Sequence, residues 1–236
     1  MRLTRADITR LRKRHRGYLI TLAVEVALLV LLPLAQVHLW LLSALLILLA
    51  LVLMVFVSRY SLLRKTRPLI YGLGGLAIAL EVVWHVALNG LPVLGRVLTI
   101  PHVIVWLVFL TLAVIRKIKS LTREPFVTVS VVMGAASGYL LVGIAGGMLL
   151  TALWVLHPGA FDLTALPPVP SSSVPNVAVA PALMAAAFAM LTTIGTSVLH
   201  TSNVAGQVVT TVITVVGQLY VAILIALILG RFRWRA

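Results

Sequence analysis

The sequence of 236 residues contains no cysteine and few charged residues. The absence of cysteine excludes disulfide frameworks, thiolate metal sites and cysteine nucleophiles. Charged residues make up only 10% of the chain, and 5 of them are acidic. We find no carboxylate pair, no clustered metal ligands and no phosphate-binding loop in the sequence. The sequence therefore offers few of the residue patterns on which enzymatic chemistry depends.

Apolar residues dominate what is present, at 61% of the chain with a mean hydropathy of +1.14. This composition indicates an integral membrane protein. A bilayer-spanning helix needs about 20 apolar residues. Six segments approach or meet that length: Tyr18–Leu34, Leu39–Val57, Leu69–Leu88, Leu98–Ile115, Phe126–Leu156 and Val204–Leu229. A seventh, Val179–Leu191, is too short to cross and is predicted to be re-entrant.

The net charge of +14 follows a pattern along the chain. All 19 lysines and arginines except Arg96 fall in the two terminal segments or in alternate connections between the predicted spans. Cytoplasmic loops collect basic residues, so we expect six crossings of the cell membrane with both termini in the cytoplasm. This reading needs no nucleic-acid partner. The first span follows a basic stretch as a signal peptide does, but no cleavage pattern follows it.

The charge and proline patterns divide the chain. Residues 1–17 form a basic arm whose helix candidate, Leu3–Arg16, either attracts anionic lipid or serves only to set topology. Residues 18–119 contain four spans and residues 231–236 a basic tail. The region between them comprises an outer helix at 126–156, a proline-rich extracellular turret at 157–178, a pore helix at 179–191, a filter at 192–197 and an inner helix at 204–230.

The sextet Thr192–Ser197 separates two apolar elements and contains a glycine. Non-helical backbone is tolerated at bilayer depth only where it is buried in protein or lines water. Successive carbonyls of an extended strand replace the hydration shell of an ion when four chains converge. The sextet therefore predicts an ion pathway.

Two stretches, Thr192-Thr193-Ile194-Gly195 and Gly217–Ala226, resemble the potassium-channel pore superfamily in its six-span prokaryotic form. The resemblance implies an all-α homotetramer around a central pore, with residues 18–119 as a voltage-sensor-like block. It also implies a pathway for K⁺ or Na⁺ without any other cofactor. The family's Thr-Val-Gly-Tyr-Gly filter falls on Thr193, Ile194, Gly195, Thr196 and Ser197.

This chain departs from the family at the outer half of the filter. Thr196 stands in place of the tyrosine, Ser197 in place of the second glycine and Val198 in place of the acidic residue. We therefore expect a weakly selective monovalent cation channel, with a non-conducting structural or regulatory subunit as the alternative. Gly217 is either a gating hinge of the inner helix or a close-packing glycine.

Ionisable residues in the first block bear on gating. The fourth span contains no lysine or arginine, and Lys117 is expected near the cytoplasmic surface, so steep voltage dependence is not predicted. Glu25 and Glu81 are embedded in spans. His85 lies four residues after Glu81 on the same helical face, so the two are expected to share a proton or a hydrogen bond. The pair is either pH-responsive or a fixed packing contact.

A competing enzyme class rests on two short stretches. His85 with Asn89, and the run Ala135-Ala136-Ser137-Gly138, resemble the motifs of rhomboid proteases. A serine nucleophile needs an activating histidine, and Val204–Leu229 has none. We therefore expect Ser137 to be a packing residue and the protein not to be an enzyme.

Overall fold

The computed structural model describes residues 5–60, 67–122, 128–157, 159–162, 179–193, 199–201 and 203–232. These residues form eight helices and one two-stranded antiparallel sheet. The helices are α1 (Arg5–Val30), α2 (Leu32–Val37), α3 (Leu39–Tyr60), α4 (Arg67–Gly90), α5 (Pro92–Leu121), α6 (Val129–Leu156), α7 (Ala180–Leu191) and α8 (Val204–Phe232). The strands are β1 (Phe161–Asp162) and β2 (His200–Thr201).

Within the described residues, four helices are long and apolar enough to cross a membrane. Their apolar stretches are Pro68–Ala87, Val93–Leu121, Val129–Leu156 and Val204–Ala226. They correspond to four of the predicted spans, and the chain is a predominantly helical membrane protein, as the composition predicts. The apolar run Trp40–Phe56 in α3 is shorter.

The predicted basic arm and the first span belong to one helix. Helix α1 runs without a break through both, over 26 residues. The helix ends at Val30, three residues before Pro33, and α2 begins at Leu32. Proline fixes its own φ and lacks an N–H group, so it is tolerated in the first turn of the new helix but not in the interior of the old one.

Helix α6 lies at the centre of the packing, against α1, α5, α7 and α8. More of its surface is buried than that of the other three long apolar helices. Its small residues permit close approach: a Cβ atom on Gly147 would lie 2.8 Å from the Cα of Met184 in α7. One buried apolar cluster joins the helices of residues 18–119 to α6, and a second lies among α6, α7 and α8.

The two strands that flank α7 in the sequence pair with each other. Strand β1 precedes α7 and strand β2 follows it, with Phe161 opposite Thr201 and Asp162 opposite His200. Phe161 and Val179 are both buried, which fixes the chain on the N-terminal side of α7. The sheet therefore anchors the two segments that enter and leave the short helix.

Candidate functional site

The first feature of the candidate site is the C-terminal end of α7. The helix has 12 residues and ends at Leu191, with Thr192 as its C-cap. The next residue, Thr193, has a φ of +63°, in the left-handed region. Its amide donates to the Met190 carbonyl at 3.1 Å, the reverse-turn bond that ends many helices. The side chains of both threonines are exposed.

Thr193 is the one predicted ion-path residue among the described residues. Residues Ile194 to Ser197 lie outside the described part of the chain. The left-handed conformation usually requires glycine, and a β-branched residue there is a genuine outlier. The Thr193 hydroxyl donates to the Thr192 carbonyl at 2.6 Å. The conformation is thus held by local hydrogen bonds at the point where the predicted path begins.

The carbonyl of Leu191 accepts hydrogen bonds from two other helices. The Tyr139 hydroxyl of α6 donates to it at 2.7 Å, and the Gln218 Nε2 atom of α8 lies 3.4 Å from it. The last carbonyls of an α-helix have no partner within the helix. Two side chains far apart in sequence therefore satisfy the end of α7.

Gly217 lies beside this carbonyl within an unbroken α8. A Cβ atom there would come within 2.5 Å of the Cδ2 atom of Leu191, whose side chain is fully buried. This contact favours the close-packing interpretation of Gly217 over the hinge. Tyr220 of α8 makes a further link to α6, because its hydroxyl donates to the Ala135 carbonyl at 2.8 Å.

Helix α8 carries a polar face that the sequence analysis did not consider. Gln207, Thr211, Thr214 and Gln218 are spaced by three or four residues and so share one side of the helix. Gln207, Thr211 and Gln218 are exposed. A cavity of about 250 Å³ lies beside this face, lined by Met190, Leu199, Thr201, Thr210, Thr211, Thr214 and Val215.

The threonine hydroxyls of α8 present oxygen lone pairs to this cavity. Thr210 and Thr211 donate to the Gln207 carbonyl at 2.9 and 2.8 Å, and Thr214 donates to the Thr210 carbonyl at 3.0 Å. A hydroxyl has one donor and two acceptor lone pairs. With the donors engaged within the helix, the oxygens that remain suit water or a monovalent cation.

Glu81 has a partner that the sequence analysis did not identify. Its Oε2 atom lies 2.7 Å from the Nε2 atom of His102 in α5, and both side chains are buried. The predicted partner, His85, lies with its Nδ1 atom 3.2 Å from the Ser43 hydroxyl of α3. The His102 ring stacks on Trp84 with the centroids 4.6 Å apart. These residues lie in the four-helix part of the chain.

Lys117, which the sequence places at the cytoplasmic end of the fourth span, is buried within the protein. Its side chain is only 1% exposed, and its Nζ atom lies 3.5 Å from Oε1 of Glu25 in α1. The ammonium also donates to the Thr21 hydroxyl at 3.3 Å and to the Ser137 hydroxyl of α6, and it lies over the Phe56 ring. Buried charges are paired because isolation from water is costly. Side chains from α1, α3 and α6 thus surround this buried cation of α5.

Ser137 belongs to this polar cluster rather than to an apolar packing surface. It is fully buried, and its hydroxyl contacts Lys117 and Thr21. A serine nucleophile needs both an activating base and access to substrate. Full burial denies substrate access, so the arrangement does not support the rhomboid interpretation. Among the described residues, no group of three potential ligands is placed to hold a metal ion.

The end of α7 therefore brings together residues from α6, α7 and α8, whereas the two ionic pairs lie elsewhere in the chain. Comparisons with protein-family models, with curated proteins and with solved structures found no match to this chain.

Proposed function

We propose that this chain is one subunit of a homotetrameric channel for monovalent cations. It crosses the membrane six times, with both termini in the cytoplasm, and α7 enters from the outside and returns between the fifth and sixth spans. The basic arm is close to anionic lipid on the inner side. The path for K⁺ or Na⁺ begins at Thr193 and continues through residues 194–197.

The observation that carries the proposal is the position of α7 between two long apolar helices. At 1.5 Å per residue its 12 residues extend about 18 Å, short of the roughly 30 Å hydrocarbon core. The chain then turns at Thr193 instead of continuing as a helix. Such a turn at bilayer depth is stable only beside protein or water.

The polar face of α8 supports the same conclusion. An exposed stripe of glutamine and threonine is unfavourable against lipid but suits a water-filled pore or a neighbouring subunit. Apolar residues occupy the adjacent face and are exposed in the single chain: Val204, Val208, Val212, Val215 and Leu219. Since a selectivity filter needs carbonyls from several chains, association of four copies would surround the polar face and leave the apolar face against lipid or protein.

We propose weak selectivity and weak voltage dependence. Thr196, Ser197 and Val198 replace the residues that brace and charge the outer filter in the resembling family. Lys117 and Arg116 are both buried in α5, and the contact of Lys117 with Glu25 stabilises its ammonium in one position. These same replacements favour the second candidate, a subunit that assembles in the membrane without conducting.

Recording from purified protein in planar bilayers tests conduction. Opposed K⁺ and Na⁺ gradients are expected to give a cation current that the Thr193→Lys variant abolishes, because a fixed positive charge at the inner mouth repels cations. The Thr122→Lys variant is the matched control, since Thr122 is exposed at the end of α5. Absence of current from the wild type, or equal currents from both variants, contradicts the channel and favours the non-conducting subunit.

A further inference from the structure

Thr193 requires an explanation for its conformation. The left-handed conformation destabilises a non-glycine residue by roughly 1–2 kcal/mol. Such residues persist where the surrounding structure over-determines them, and they cluster at functional sites. The local bonds from Thr193 act only within its own turn. The C-terminal end of α7, from which the turn begins, must therefore also be held by contacts with other helices.

The Leu191 carbonyl is the point at which the helix end is held. A carbonyl oxygen can accept two hydrogen bonds, and here donors from Tyr139 of α6 and Gln218 of α8 both approach it. The Leu191 side chain meanwhile packs against Gly217, the neighbour of Gln218. One residue of α7 therefore has both its carbonyl and its side chain fixed by the two long helices around it.

We propose that Tyr139 and Gln218 are positioning residues that set the geometry of the inner mouth of the ion path by holding the Leu191 carbonyl. The inference rests on the proposed channel function and extends it. Tyr139 belongs to the outer helix and Gln218 to the inner helix, so a displacement of either helix is transmitted directly to Thr192 and Thr193.

The two bonds differ in strength, which gives them different roles. The 2.7 Å bond from Tyr139 is near the optimum for an O–H donor, whereas 3.4 Å from Gln218 is long. Tyr139 is the fixed support. Gln218 is the contact most easily broken or tightened by a small movement of α8, and this makes it the link between the inner helix and the path.

A cysteine reporter tests the positioning without any current. Because the chain has no cysteine, Thr192→Cys introduces a single exposed thiol two residues from Met190 and next to the held carbonyl. In this background Tyr139→Phe is expected to raise the rate of modification by a water-soluble thiol reagent about fivefold, the factor that corresponds to one hydrogen bond.

Tyr220→Phe is the matched control, because it removes a hydroxyl that also joins a long helix to a backbone carbonyl, but at Ala135 rather than Leu191. Its modification rate should stay within twofold of the parent. Equal rates in the two variants overturn the proposal. Size-exclusion chromatography in detergent checks that both retain the parent's assembly.

Gln218→Leu provides a second variant, with Gln207→Leu as its control on the same face of α8. Gln218→Leu should change both the thiol modification rate and the ratio of K⁺ to Na⁺ permeability, and Gln207→Leu should change the modification rate by less than twofold. A wild type without current refutes the channel, while the modification rates still decide the positioning. A Gln218 variant with the parent's modification rate refutes the role of Gln218.

Discussion

The Nε2 atom of His102 lies 2.7 Å from the Oε2 atom of Glu81, with both side chains excluded from solvent. The pair joins α4 to α5, and Trp84 packs flat against the imidazole while donating to Thr99 at 2.9 Å. A cavity of about 30 Å³, enough for a single water molecule, adjoins the pair and extends to Ala180 and Met184 of α7. The cavity therefore connects this contact with the start of the short helix.

Removal of one partner from this pair is expected to be costly. His102→Leu leaves the Glu81 carboxyl buried without its partner and should lower the free energy of unfolding by about 3 kcal/mol. Glu81→Leu with His102→Leu should recover most of that loss. Unfolding of the purified variants in detergent measures the cycle, and strict additivity of the two single changes would show that the pair is not coupled.

Lys117 offers a second test with an internal control. Lys117→Met leaves Glu25 without its cation and should destabilise the protein by about 3 kcal/mol. Lys119→Met, two residues further along α5 on an exposed side chain, should change stability by no more than about 0.5 kcal/mol. Thermal unfolding of the two variants in the same detergent compares them directly. Similar losses would contradict the buried position of Lys117.

Two glycines, one packed between α6 and α7 and one facing open space on α4, should respond in opposite ways to replacement by alanine. Gly147→Ala places a Cβ atom against the Met184 backbone and should destabilise by about 1–3 kcal/mol. Gly75→Ala in α4 meets open space and should stabilise its helix by up to about 1 kcal/mol. The sign of the change in melting temperature separates the two. A gain at Gly147 would show that α6 and α7 lie further apart.

Thr193→Gly is expected to relieve backbone strain. Relief of about 1–2 kcal/mol exceeds the roughly 0.5–1 kcal/mol of entropy that a glycine loses on folding, so the variant should be slightly more stable. At Thr192, with a φ of −86°, glycine relieves nothing and should lower stability. Melting temperatures of the two variants should therefore move in opposite directions. A loss at Thr193 would show that its hydroxyl contributes more than its backbone costs.

Much of the helical layout could be predicted from the sequence. Leu69–Leu88 falls within α4 and Val204–Leu229 within α8, because apolar runs of that length reflect local composition alone. The arm and the first span merged into α1 because only Gly17 lies between them, and one glycine weakens a helix without ending it. Proline at residue 33 marks the boundary between α1 and α2.

The side-chain contacts of the site could not be predicted in the same way. Glu81 and His85 share a helical face, but the choice of His102 depends on how α4 packs against α5. Lys117 follows an apolar run, where a cation normally reaches the surface, and its partner Glu25 is in another helix. Tyr139, Leu191 and Gln218 are likewise brought together only by three helices packing. Such contacts depend on tertiary arrangement rather than on any local pattern.

The short β1–β2 sheet has a consequence for the connection that leads to α7. Because pairing of Phe161 with Thr201 and burial of Val179 secure the chain on both sides of segment 163–178, we expect the position of α7 to be insensitive to the length of that segment. Lengthening a connection whose ends are already fixed carries only a small entropic penalty. An epitope inserted after Pro170 should leave the protein folded, and antibody labelling of intact cells would then report on which side of the bilayer that segment lies.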